Sequence, residues 1–118
     1  MDKGHWSLTD EEFARQFEDT TLNPSFFTHE AHLRLAWIIL KTHDLSTAQN
    51  LICDQIQQFD RIHGDGNKFN DKLTRNCVAV VANLISENTC KEFKVLLEKE
   101  PRLLNDLRGL IDEMKLLY

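Results

Sequence analysis

Two histidines three residues apart, His29 and His32, open the strongly apolar stretch that runs from Phe26 to Trp37. Thr28 stands just before them and carries the hydroxyl of a helix N-cap, so a helix is expected to start here. At about 100° per residue the two rings lie only about 60° apart, on one face. That face continues as Leu33, Ala36, Trp37 and Leu40 and has to be buried. Two imidazoles therefore stand at the mouth of a hydrophobic core, where a polar pocket can form. Neutral imidazole nitrogens ligate zinc, iron or nickel, and they also bind polar ligands or transfer protons. The partial positive charge of a helix N-terminus disfavours imidazolium, so both rings are expected to be neutral near pH 7. His-x-x-His lacks the four-residue spacing and adjoining glutamate of the zinc-protease motif, which sets that chemistry aside.

Helices have to position these rings, and the chain reads as helix throughout. Thr9-Asp10-Glu11-Glu12 has the form of a capping box and opens a helix over residues 10–19, with Phe13 and Phe17 as its apolar stripe. Asn23-Pro24 marks a turn before the histidine helix, residues 28–43. A third helix is expected over 46–63, ended by Gly64-Asp65-Gly66-Asn67. Asn70 or Asp71 caps a fourth over 71–86, whose stripe is Leu73, Cys77, Val80, Val81, Leu84 and Ile85. Thr89-Cys90-Lys91-Glu92 reads as a second capping box, for a helix over 90–99. Pro101 suits the first turn of a last short helix carrying Leu103, Leu104, Leu107, Leu110 and Ile111. Residues 1–8 read as an irregular lead-in. No hairpin chemistry, internal repeat or linker occurs. The expectation is one all-α domain over 1–118, an antiparallel up-and-down bundle of five to six helices.

In such a bundle the start of the second helix, the end of the third and the start of the fourth share one end. His29, His32, His63, Asn70 and Thr74 are then predicted to converge as a ligand-binding pocket, with Glu18 and Asp19 within reach. His29, His32 and His63 are the candidate metal ligands. A small polar ligand, or a transition metal, is the expected occupant; an enzyme using these three histidines as metal ligands or acid–base groups is the alternative. A protein–protein or accessory-subunit role is the further alternative. The competing reading is structural: a histidine at a helix start satisfies a nearby carbonyl, and His63, last before a glycine, suits the helix dipole.

Composition narrows the classes. The chain has 118 residues, 42% hydrophobic and 28% charged, with net charge −5. Acidic balance and dispersed lysines and arginines argue against nucleic acid. No apolar run approaches the ~18 residues of a membrane span. The N-terminal Met1-Asp2-Lys3-Gly4-His5-Trp6-Ser7 lacks the apolar core of a secretion signal. Cys53, Cys77 and Cys90 are odd in number, without Cys-x-x-Cys spacing, which reads as reduced thiols in the cytoplasm. Met114, Leu116, Leu117 and Tyr118 leave an apolar end, so a homodimer through the C-terminal helix is a candidate partnership.

Phe17-Glu18-Asp19-x-x-Leu22 followed by Phe27-x-His29-x-x-His32-Leu33-Arg34-x-Ala36-Trp37 resembles a family of small bacterial all-helical proteins without an assigned activity. That family has a later glycine, a Tyr-His-x-Thr-x-Thr segment and a Phe…Asn-Pro-x-Leu-Leu segment. The counterparts here are Ile62-His63-Gly64, Phe69-Asn70-Asp71-Lys72-Leu73-Thr74 and Phe93…Glu100-Pro101-Arg102-Leu103-Leu104. The resemblance covers residues 13–105 and implies the helical fold and the location of the site. Asn70 replaces the family's histidine and Lys72 its first threonine. That exchanges a nitrogen ligand for a weak amide oxygen, so any metal is expected to be weakly held.

Overall fold

Five of the helices begin at a side chain that accepts from a free backbone amide. In the computed structural model, which describes residues 4–64, 69–88 and 90–114, helix α1 (Asp10–Glu18) starts at the Thr9–Glu12 capping box: Glu12 N donates to Thr9 Oγ1 at 3.1 Å and Thr9 N to Glu12 Oε1 at 3.0 Å. Thr28 caps α2 (His29–Leu40) through Ala31 N, Asp44 caps α3 (Leu45–His63) through Thr47 N, and Asn70 caps α4 (Asp71–Glu87) through Leu73 N. Each such cap is worth about 1 kcal/mol.

Three chain segments differ from expectation. Helix α5 spans Phe93–Lys99, and Glu92 at its N-cap makes no side-chain cap bond; Thr89, the other half of the expected box, lies outside the described residues. The last helix is two: α6 (Arg102–Asn105) and α7 (Leu107–Glu113). Asp106 leaves helical geometry at φ −153°, ψ 49° and accepts from Gly109 N, so one side chain both stops α6 and restarts the chain as α7. Leu104 falls on the outer side of this break and is exposed. Finally, Gly4–Ser7 forms a 3-10 turn with His5 buried, where an irregular lead-in was expected. The described residues thus form seven α-helices rather than five or six, with no strand. None of those helices is long and apolar enough to cross a membrane. Residues 65–68 of the expected loop, and Leu116, Leu117 and Tyr118 of the expected dimer surface, lie outside the described residues.

Helix α2 is the centre of the molecule. Ala31, Leu33, Leu35, Ala36, Trp37 and Ile39 are all buried, which covers nearly its whole circumference rather than one stripe. It packs against α1, α3, α4 and α6. Helix α3 brings Ala48, Ile52, Ile56 and Phe59 to the core, and α4 brings Val78, Val80, Val81 and Leu84. Side-by-side antiparallel packing does not describe α3 and α4. Gln49, early in α3, donates to the Arg75 carbonyl early in α4 at 2.9 Å, and Arg75 reaches Asn50. The first turns of α4 therefore meet the early part of α3 at Gln49 and Asn50, and with the end of α3 they line a common cavity. That crossing leaves Leu73, a predicted core residue, 49% exposed.

Candidate functional site

The crossing of α4 over α3, roofed by the start of α2, encloses a cavity of about 350 Å³. His32 from α2, Ile56, Phe59, Asp60 and His63 from α3, and Asn70, Leu73 and Thr74 from α4 form its walls, with Pro24, Phe27, Gly64 and Phe69 from the connections. An aromatic chain links the two imidazoles: His32 lies 5.6 Å from Phe27, Phe27 5.5 Å from Phe59, and Phe59 4.6 Å from His63, centroid to centroid.

His32 is the unusual member. Its Nε2 is buried and has no hydrogen-bond partner among the described residues. Burial, reinforced by the neighbouring His29, pulls the His32 pKa down to about 4, so the ring is neutral at pH 7. His63 has committed one nitrogen: Nε2–H donates to the Thr20 carbonyl at 2.6 Å. Thr20 has φ +63°, a left-handed conformation that a β-branched residue seldom adopts. The end of α1 thus reaches the site through the Thr20 carbonyl, where Glu18 and Asp19 had been the expected visitors. The Asn70 oxygen is occupied by the cap to Leu73 N at 2.9 Å, leaving its amide NH₂ for other partners. Thr74 is buried in the wall.

His29 does not join them. Its Nε2–H donates to the Leu103 carbonyl of α6 at 3.0 Å, 74 residues away in sequence. At the first position of α2 the ring falls beside α6, and a carbonyl near a helix end is a ready acceptor. His29 is outside the cavity lining that holds His32 and His63, so the three-imidazole metal set does not assemble there. No group of three His, Cys, Asp or Glu side chains among the described residues stands so that it could hold a metal ion.

Sequence reading missed Asp60 and Phe69. Asp60 accepts from Phe69 N at 3.2 Å and so ties the far side of the loop to the end of α3. Gly64 makes that possible, because a Cβ there would collide with the Asp60 carboxylate and stand 3.0 Å from the Asp60 carbonyl. A glycine after a helix was a legible signal; the close approach to Asp60 was not. Cys53 and Cys77 contribute nothing reactive: burial pushes their thiols up to about 11, so neither is a thiolate at neutral pH.

Arg34, two residues beyond His32, is a charged group buried inside the apolar helix α2. It is 4% exposed. Its guanidinium donates to Asp10 Oδ1 at 2.9 and 3.1 Å, to the His5 carbonyl at 2.6 Å and to the Leu8 carbonyl at 2.9 Å. Trp6 and Phe13 cover it, each ring centroid 5.0 Å from the guanidinium carbon. Glu30 takes His5 Nε2 at 2.8 Å and the Trp6 indole N–H at 2.5 Å. This network fastens the segment from His5 to Asp10 to α2.

Comparison of the chain with protein-family models, curated proteins and solved structures finds no significant match.

Proposed function

We propose that this chain is a binding module whose cavity holds a small, uncharged polar ligand with an apolar body. The observation that carries the reading is His32 Nε2, a buried polar atom left without a partner in a cavity wall. Such an atom costs about 1–3 kcal/mol unless something satisfies it. A ligand hydrogen-bonded to the imidazole would recover that cost. Phe27, Phe59 and Phe69 supply apolar walls, and Asn70, Thr74 and His63 supply further polar groups. Among the described residues no lysine or arginine lines the cavity, which disfavours an anionic occupant. The resemblance over residues 13–105 supports the same location. Reduced Cys53, Cys77 and Cys90 suit a cytoplasmic protein.

Binding is favoured over proton-transfer catalysis. A general base works best with a pKa near the operating pH, and an imidazole held at about 4 is a weak base at pH 7. Benzamide, an uncharged amide on an aromatic ring, is the first probe. Added to isotope-labelled protein, it should shift the NMR resonances of His32, Asn70 and Thr74. The His32→Leu variant should keep its fold and lose the response. Unshifted resonances, or equal binding by the variant, would refute this reading.

A further inference from the structure

A second cleft, of about 580 Å³, opens between α4 and α7. It shares Asn70 and Leu73 with the first cavity, but its chemistry is different. Lys72 and Arg108 face it from the two helices, and among the described residues neither is in an ion pair. The acidic residue in the lining, Asp112, already has a partner. Asp71, next to Lys72 in sequence, is paired with Arg75 at 3.0 Å. Local charge in the cleft is therefore positive on a chain whose net charge is −5. At physiological salt the distant carboxylates are screened over about 8 Å, so the nearby cations decide the local field. The N-terminal turn of α4, a helix of 17 residues, adds the positive end of its dipole at Lys72 and Leu73.

The second observation is independent of charge. Asn76 lines the same cleft, is only 5% exposed, and its Nδ2 is buried without a hydrogen-bond partner among the described residues. A buried amide NH₂ in that state calls for an acceptor oxygen. Beside it the cleft presents Leu107 and Ile111. Two cations, an amide donor in need of an acceptor and an aliphatic floor define one ligand chemistry.

We infer that the α4–α7 cleft is a second binding site, for a small organic carboxylate with an aliphatic body. The carboxylate takes Lys72, Arg108 and the Asn76 amide, and the hydrocarbon lies on Leu107 and Ile111. This site does not depend on the first cavity, since its ligand contacts are other side chains and its ligand is anionic rather than neutral.

Hexanoate is the probe, with hexan-1-ol of equal chain length as the neutral control, followed by NMR on the full chain. Hexanoate should shift the Asn76 side-chain amide and the backbone amides of Lys72, Arg108 and Ile111 in a saturable way, while His32 stays still. Hexan-1-ol should not. The double substitution Lys72→Gln with Arg108→Gln, both at exposed positions that leave the fold intact, should weaken hexanoate by about tenfold, the loss expected for two partly solvated ion pairs. The inference is overturned if millimolar hexanoate moves none of these resonances. It is equally overturned if hexan-1-ol moves them as much, or if the double variant binds hexanoate as the wild type does. Failure of benzamide at His32 leaves this result untouched, because the two experiments read different residues.

Discussion

His32 and Arg34 are two residues apart on the same helix, and both are polar groups set into the core, yet the protein treats them oppositely. Every side of the Arg34 guanidinium is met by a carboxylate, a carbonyl or an aromatic face. His32 Nε2 meets nothing. A satisfied buried network rigidifies the structure around it, whereas an unsatisfied buried atom is a cost the fold has left standing. The contrast separates scaffold from site within half a helical turn. It also explains why the histidine nearer the helix start is the structural one: His29 has a carbonyl, and His32 has a cavity.

The sharpest way to break this comparison is to remove each group in turn. Arg34→Met should destabilise the chain by about 3 kcal/mol or more, because it strands Asp10 and the His5 and Leu8 carbonyls in partly buried positions. His32→Leu removes an unpartnered polar atom without leaving a void, and should raise stability by about 1 kcal/mol. Urea denaturation of both variants checks the pair, and equal losses would erase the distinction.

Acid should reveal the same asymmetry. The folded pKa of His32, about 4, lies below its unfolded value of 6.5. Above pH 6.5 the ring is neutral in both folded and unfolded chains, and its titration takes nothing from stability. Between 6.5 and 4 the unfolded chain takes up a proton that the folded chain refuses, so stability falls as pH falls, by about 3 kcal/mol in all. Burial lowers the His5 pKa as well, with the same sign. His32→Leu should remove most of this slope; a variant that keeps the full slope would place the titration elsewhere.

Smaller changes sharpen the picture around the cavity. Gly64→Ala forces its new methyl against Asp60, and should cost about 1–2 kcal/mol while displacing the Phe69 amide, visible as a lost NMR protection. Thr20→Gly relieves the left-handed strain under His63. It should stabilise by about 0.5 kcal/mol, since glycine's greater unfolded entropy offsets part of the gain, and thermal unfolding reads the difference.

Local patterns carried much of this fold. Thr9, Thr28 and Asn70 announced helix starts because a cap is made within three residues of sequence, and each forms as expected. Asp44, Asp106 and the Gly4–Ser7 turn were not legible in advance. Asp106 interrupts a continuous apolar stripe, and the turn is held by Arg34 from 29 residues away. Of the five expected pocket residues, His32, His63, Asn70 and Thr74 line one cavity and His29 lines none of it. The missing residue is instructive: helical spacing says which residues share a face, but it is silent on which neighbour that face meets.

From sequence alone came the helices, their caps, the apolar faces and the candidate polar residues, all set by interactions between positions a few residues apart. Which imidazole finds a backbone carbonyl, which polar atom is left bare, and where α4 crosses α3 were decided only in three dimensions. Those outcomes depend on contacts between residues tens of positions apart, and no short-range pattern encodes the partner that a buried nitrogen will have.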